Sequence, residues 1–439
     1  VTSNAKRKKP RPPATLLDAV KARDLEATRA LLDAGADPNA PGPYDELPLG
    51  ATVYAGINHP DARAIASLLL AHGADPLKVG GFGNTALETA AELGADTMAR
   101  EMMSRAGERF ALRAPPPGGS SMLHRACKGG LFWLALRCAE LGADPCEVDE
   151  AGKSSLHHAV SVYPASEARA EARLALVDWL LARGVDPHQW QPGEYGGTAL
   201  HLAASWADAA VVARLLDAGV DLHAASDVSA HRAIHRAGYN DRAGVVALLC
   251  ARGADVDATA TGGVRPLHVL ATRTRYLATP EMVDAFVDGG ASINALDDRG
   301  LSPLATAISQ HGNTRAPLGE REVATLARFV ARGADLRCAA PGGATLLILA
   351  ARIGDVALAQ IALGGSEIAQ VDDHGWAALH YAAMQTDGAL AGALLAAGAD
   401  PTQPTRKRHT AARTPFPKGS TAMDIARALG VSAVIERLA

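Results

Sequence analysis

Apolar residues recur along the chain in two alternating helical patterns, and the stretch from Gly197 to His223, G-T-A-L-H-L-A-A-S-W-A-D-A-A-V-V-A-R-L-L-D-A-G-V-D-L-H, holds both. The first pattern, around Leu200, Ala203 and Ala204, is short and Ala-rich. The second sets Val211, Val212, Leu215 and Leu216 at i, i+1, i+4 and i+5, a single apolar stripe on a helix. Gly219 predicts the stop, because a residue free to take positive φ closes a helix. Neither short helix buries its apolar face alone, so each unit needs neighbours on both sides.

The chain supplies those neighbours almost from end to end. A truncated unit, Ala14 to Asn39, opens the series, and L-P-L-G-A-T-V-Y from Leu47 and N-T-A-L-E-T-A-A from Asn84 follow. Met102 and Met103 stand where other units carry a Leu pair. Later openings include S-M-L-H-R-A at Ser121, S-S-L-H-H-A at Ser154, R-A-I-H-R-A at Arg232, R-P-L-H-V-L at Arg265 and A-A-L-H-Y-A-A at Ala377. Extra residues are expected between the helices near Tyr163 to Arg173 and near His311 to Glu320. A last unit, from Ser420, ends with its second helix at Ala439 as a C-terminal cap would.

Equivalent glycines set the period. Gly184, Gly219 and Gly253 are 35 and 34 apart, and Gly365 and Gly398 are 33 apart. A period near 33 with T-P-L-H-x-A openings resembles the ankyrin repeat. The resemblance covers residues 14 to 439 in about twelve copies, and it implies an all-α repeat fold: a curved solenoid of helix–turn–helix units joined by β-hairpin-like loops. The expected organisation is a basic disordered tail at 1–13, repeats 1–3 at 14–113, a Pro/Gly spacer at 114–119, repeats 4–11 at 120–401, a basic inserted loop at 402–418 and a capping repeat at 419–439.

Composition narrows the function. Hydrophobic content of 48% with only 4% aromatic fits closely stacked Ala/Leu helices, and no apolar run reaches membrane-spanning length. The five cysteines (Cys127, Cys138, Cys146, Cys250, Cys338) form no C-x-x-C pair and read as reduced, mostly buried thiols of a cytoplasmic protein. A nuclear location follows if the source is eukaryotic and the basic tail is a targeting signal, while a secreted effector is the other possibility. Charge is uneven. Lys6, Arg7, Lys8, Lys9 and Arg11 crowd the N-terminus, and Arg406, Lys407, Arg408, Arg413 and Lys418 crowd the insert, with no acid in either segment. Setting those ten cations aside takes the remainder from the whole-chain −4 to −14. The acidic body predicts a protein partner bearing basic patches and argues against nucleic acid.

No catalytic fingerprint appears: G-x-S-x-G, Walker A and G-x-G-x-x-G are absent, and no enzyme activity or cofactor is expected. His124, His157, His201, His235, His268 and His380 occupy one slot per repeat, which the resemblance assigns to hydrogen bonding between adjacent units rather than to a metal. The G-A-D-P aspartates (Asp37, Asp75, Asp144, Asp400) follow a helix-stopping glycine, which is turn chemistry. What remains is surface. In the resembling family the concave groove is lined by residues after A-A on the first helix, here Tyr54, Lys128, Trp206, Tyr239, Arg352 and Met384, with Arg236 and Tyr381 nearby. Trp190 and Tyr195 add aromatics at a loop tip, and Trp206 with Tyr239 is the preferred anchor pair. The expected function is non-catalytic protein–protein recognition as a scaffold or adaptor, by a monomer or a member of a hetero-complex. The alternative is a bacterial effector or antitoxin-like inhibitor that occludes an enzyme.

Overall fold

The computed structural model describes residues 15–439, except 55, 57–58, 113–119, 162–166, 194–195, 227, 272–277, 312–317, 366, 387 and 412–413. The basic tail (Lys6, Arg7, Lys8, Lys9), the 114–119 spacer and Tyr195 lie outside the described residues. The chain forms two compact units, Val1–Asp221 and Leu222–Ala439.

In the first unit α1 (Leu16–Ala22) pairs with α2 (Leu25–Asp33), α3 (Pro48–Tyr54) with α4 (Pro60–Ala71), and α5 (Ala86–Glu92) with α6 (Asp96–Ala106). Next come α7 (Met122–Gly129) with α8 (Phe132–Glu140), α9 (Ser155–Val160) with α10 (Glu167–Ala182), and α11 (Ala199–Trp206) with α12 (Ala209–Asp217). The second unit repeats the scheme with α13 (Ala233–Tyr239) and α14 (Ala243–Ala251), α15 (Pro266–Val269) and α16 (Pro280–Asp288), and α17 (Pro303–His311) and α18 (Glu320–Ala331). It continues with α19 (Leu346–Ile353) and α20 (Val356–Leu363), α21 (Ala378–Ala382) and α22 (Ala389–Ala396), and α23 (Ala422–Leu429) and α24 (Ser432–Leu438). Within each unit every first helix also packs on the next first helix, so each unit is an all-α solenoid.

Local chemistry explains the pieces. Asp24 caps α2 with its carboxylate on the Ala27 N–H at 2.9 Å, and Thr85 with Glu88 forms a reciprocal capping box on α5. Gly219 ends its helix at φ +87, as the pattern predicts. Val211, Val212 and Leu215 are buried while Leu216 is only half-buried, so the stripe is one residue narrower than the spacing implies. Part of the extra material after Tyr163 lengthens α10, which begins at Glu167. The insert after α22 is not a plain loop: β1 (His409–Ala411) pairs antiparallel with β2 (Thr414–Phe416), His409 opposite Phe416.

The repeat histidines tie neighbouring units together. His157 accepts the Ser154 N–H at its Nδ1 (3.2 Å), and its Nε2 donates to the Gly197 carbonyl of the next repeat at 3.1 Å. His268 does the same between the Arg265 N–H and the Leu301 carbonyl, and His380 between the Ala377 N–H and the Gln403 carbonyl. Each ring is buried and bridges two backbones, which is the role implied by the repeat resemblance. Replacing His157 by Phe keeps the ring volume but strands a buried N–H and a buried carbonyl. We expect a loss of about 2–3 kcal/mol, read as a lower denaturation midpoint at unchanged m-value.

Candidate protein interface

Most of the polar residues that invite a chemical reading are used up by the scaffold. Asp37, Asp75, Asp144 and Asp400 each accept the backbone N–H two residues on, at 2.8–2.9 Å, in turns after the helix stop. Asp372 accepts the N–H groups of His374 and Trp376 and the Tyr381 hydroxyl, the last at 2.5 Å. Asp149 takes the His158 Nε2 at 2.9 Å from the corresponding position. Among the described residues no group of three or more His, Cys, Asp or Glu is placed to hold a metal. Burial pushes the Cys138 thiol up to about 12 and the Cys127 thiol higher still, so both stay protonated. Cys146 is exposed, contrary to the expectation of mostly buried thiols, and Cys250 and Cys338 are half-buried.

The proposed anchors divide. Tyr54 at the end of α3, Trp206 at the end of α11 and Tyr239 at the end of α13 are 57%, 42% and 47% exposed. Trp206 belongs to the first compact unit and Tyr239 to the second. Arg236, Arg352 and Met384 are half-buried, and Arg352 lies over the Tyr381 ring at 5.8 Å. Three residues are engaged within the fold. Tyr381 is 8% exposed, and its hydroxyl is bound by Asp372, so it is a core residue rather than an anchor. The Lys128 ammonium holds Glu92 at 2.6 Å beside Arg125 at 2.7 Å. Burial favours the neutral Glu92 carboxyl, but these two cations outweigh it and hold the carboxyl below its usual range. Trp190 is half-buried, edge-on to His201 at 6.0 Å. Arg406, Lys407 and Arg408 are exposed on the inserted hairpin.

The structure adds a cluster that the sequence reading reached only through Tyr54. Phe82, 75% exposed at a hairpin tip, meets the Tyr54 ring edge-on at 6.5 Å. The adjacent tip carries Tyr44, 91% exposed. The two tips lock together: the Gly81 N–H donates to the Asp45 carbonyl at 2.9 Å, and a Cβ on Gly81 would lie 1.7 Å from the Tyr44 carbonyl oxygen. Tyr44 and Asp45 both sit in the left-handed region, at φ 62 and φ 56, which is costly for a bulky residue. Tyr54, Phe82, Asp75 and Lys78 line a cleft beside this row.

A family model described as ankyrin repeats (3 copies) matches residues 165–260 and 319–405. This is an ankyrin repeat protein. Over 140 residues, 32% of the chain, it is 34% identical to neurogenic locus notch homolog protein 1 of Xenopus tropicalis. Over 117 residues, 26% of the chain, it is 40% identical to human neurogenic locus notch homolog protein 2. The alignments span only 5% and 4% of those relatives' own length. Among solved structures, the human ASB11 ankyrin repeat domain aligns with 23% identity over 56% of this chain and 98% of that one, at a TM-score of 0.42. Ankyrin repeats generally mediate protein–protein interaction, and the histidine bridges and Asp turns described above belong to the repeat framework. No helix among the described residues is long and apolar enough to cross a membrane.

Proposed function

We propose that the chain is a non-catalytic recognition scaffold that binds a protein partner through side chains at the first-helix ends and hairpin tips. The supporting observation is Tyr44, an almost fully exposed aromatic held on a left-handed backbone beside Tyr54 and Phe82. The left-handed turn presents the Asp45 carbonyl to the Gly81 N–H and so joins the two tips. It leaves the Tyr44 ring exposed on a backbone that the neighbouring tip fixes, where it offers contact area to a partner. Trp206 in the first unit and Tyr239 in the second are proposed as further anchors. The acidic body favours a partner with basic patches, steered to the surface by its field.

The test begins with the purified chain as bait in lysate of its source, followed by binding measurements on the recovered partner. Tyr44→Ala/Phe82→Ala and Trp206→Ala/Tyr239→Ala are compared with the parent. At least one pair is expected to lower affinity by about tenfold or more at an unchanged melting temperature. Retention of full affinity in both pairs would refute the assignment of these anchors. Assaying the partner with and without the scaffold separates positioning from inhibition.

A further inference from the structure

The insert between α22 and α23 gathers cations on a backbone that is fastened to the rest of the unit. Its inner face is aromatic: Phe416 is buried edge-on to Trp376 at 5.7 Å, while His409 meets Trp376 at 5.1 Å and stacks on His374 at 4.3 Å. Its backbone is fastened as well. The Arg406 N–H donates to the Gly375 carbonyl at 3.0 Å, and the Thr405 N–H donates to the Ser420 carbonyl at 2.8 Å. The Lys407 ammonium donates to the Asp373 carbonyl at 2.8 Å. The hairpin crosses so close over Gly375 that a Cβ there would lie 2.8 Å from the Arg406 and Lys407 nitrogens.

With the rings turned inward, the charges face out. Arg406, Lys407, Arg408 and Lys418 are exposed, and among the described residues Arg406, Arg408 and Lys418 have no ion pair or side-chain hydrogen bond. Elsewhere in the same unit Arg232, Arg299, Arg321, Arg328, Arg332 and Arg337 each pair with an aspartate. The insert thus carries unneutralised cations on a backbone that Gly375 and Ser420 fasten to the rest of the unit.

We propose that this hairpin is a docking site for an acidic peptide segment of a partner protein, whose carboxylates pair with the Arg406 and Arg408 guanidinium forks and the Lys407 and Lys418 ammonium groups. Guanidinium–carboxylate pairing is bidentate, and the fixed hairpin removes much of the ordering cost. Nucleic acid fits less well. Trp376 and Phe416 are spent inside, so they offer bases no stacking platform, and the acidic remainder repels a long polyanion. The proposal does not rest on the Tyr44 cluster and stands or falls without it.

The test measures fluorescence anisotropy of a short labelled oligo-glutamate peptide with the full chain at low salt. An oligo-glutamine peptide and single-stranded DNA of equal length run alongside. We expect the glutamate peptide to bind and the glutamine peptide not to. The Arg406→Ala/Lys407→Ala/Arg408→Ala variant is expected to bind about tenfold more weakly or worse, with a shallower salt dependence. Phe416→Ala keeps the charges but loosens the hairpin, and it too is expected to weaken binding several-fold. Unchanged binding by the triple variant would overturn the proposal. So would tighter binding of the DNA through the same three residues, or full affinity in Phe416→Ala.

Discussion

Lowering the pH from 7 to 4.5 is expected to destabilise both units, with most of the loss above pH 5, where ordinary carboxylates are still largely ionised. Burial, aided by the charge of nearby His124, pushes His158 in the first unit down from 6.5 to about 4. Burial, aided by stacked His231, pushes His235 in the second unit down to about 3. His157, His268 and His380 are lowered by burial as well. The hydrogen bonds explain why the neutral form is needed: Nδ1 of each of these three accepts a backbone N–H, and a proton there would face another donor. Above pH 6.5 neither state is protonated and the groups cost nothing. As pH falls through 6.5 the unfolded chain takes up protons first, so stability falls with pH until the folded values are reached near 4 and 3. His158 and His235 each contribute about 1.4 kcal/mol per pH unit in that window, or roughly 2–3 kcal/mol by pH 4.5, and the other three add in the same direction. Thermal melts at pH 7, 6, 5 and 4.5 check this. A melting temperature flat across the series would mean that the histidines titrate normally. His158→Gln, which can still donate to Asp149, is expected to flatten the response of the first unit.

Much of this scaffold is legible in the sequence because its signals are local. A helix-stopping glycine and an Asp two residues before the N–H it accepts act within one turn of chain, so spacing finds them. The histidine three residues after its N-cap reaches the next repeat with its other nitrogen, a role that the repeat resemblance implies. What spacing does not reveal is which repeated positions differ in environment. Tyr381 and His158 both directly follow the repeat histidine, and both bind an aspartate nine residues earlier, Asp372 and Asp149. That shared nine-residue spacing is the signal that marks Tyr381 as a core residue; judged by residue type it passes for an interface aromatic. Lys128 likewise passes by type for a surface anchor, and its engagement depends on Glu92, a full repeat away. Tyr44 and Phe82 escaped because hairpin tips carry no periodicity, and the left-handed backbone at Tyr44 has no glycine or asparagine to announce it. The histidines and tight turns set the spacing and hydrogen bonding of the repeats, while the candidate surface depends on individual side chains at their ends.

Gly129→Ala is expected to destabilise the first unit by more than about 3 kcal/mol, although the usual helix rule predicts the opposite sign. Gly129 is the last residue of α7, where alanine ordinarily gains up to about 1 kcal/mol over glycine. Here, however, α7 meets the end of α5 backbone to backbone. A Cβ on Gly129 would stand 1.9 Å from the Ala91 carbonyl oxygen and 2.8 Å from the Gly94 nitrogen. Gly94 is subject to the same limit, since its own Cβ would lie 2.5 Å from the Gly129 carbonyl. Neither obstacle is a flexible side chain that can swing away, so the two repeats must separate. Separation also pulls apart the half-buried Arg125–Glu92 pair and the Lys128–Glu92 pair that span the same seam. The neighbouring residue is the control. Gly130 has φ 70 but nothing within 4 Å of its Cβ, so Gly130→Ala carries only the left-handed penalty of about 1 kcal/mol. Urea denaturation of the two variants separates the explanations. If backbone conformation governs this seam, Gly130→Ala is the worse variant. If close approach governs it, Gly129→Ala is, and that ordering is the one the interatomic distances require.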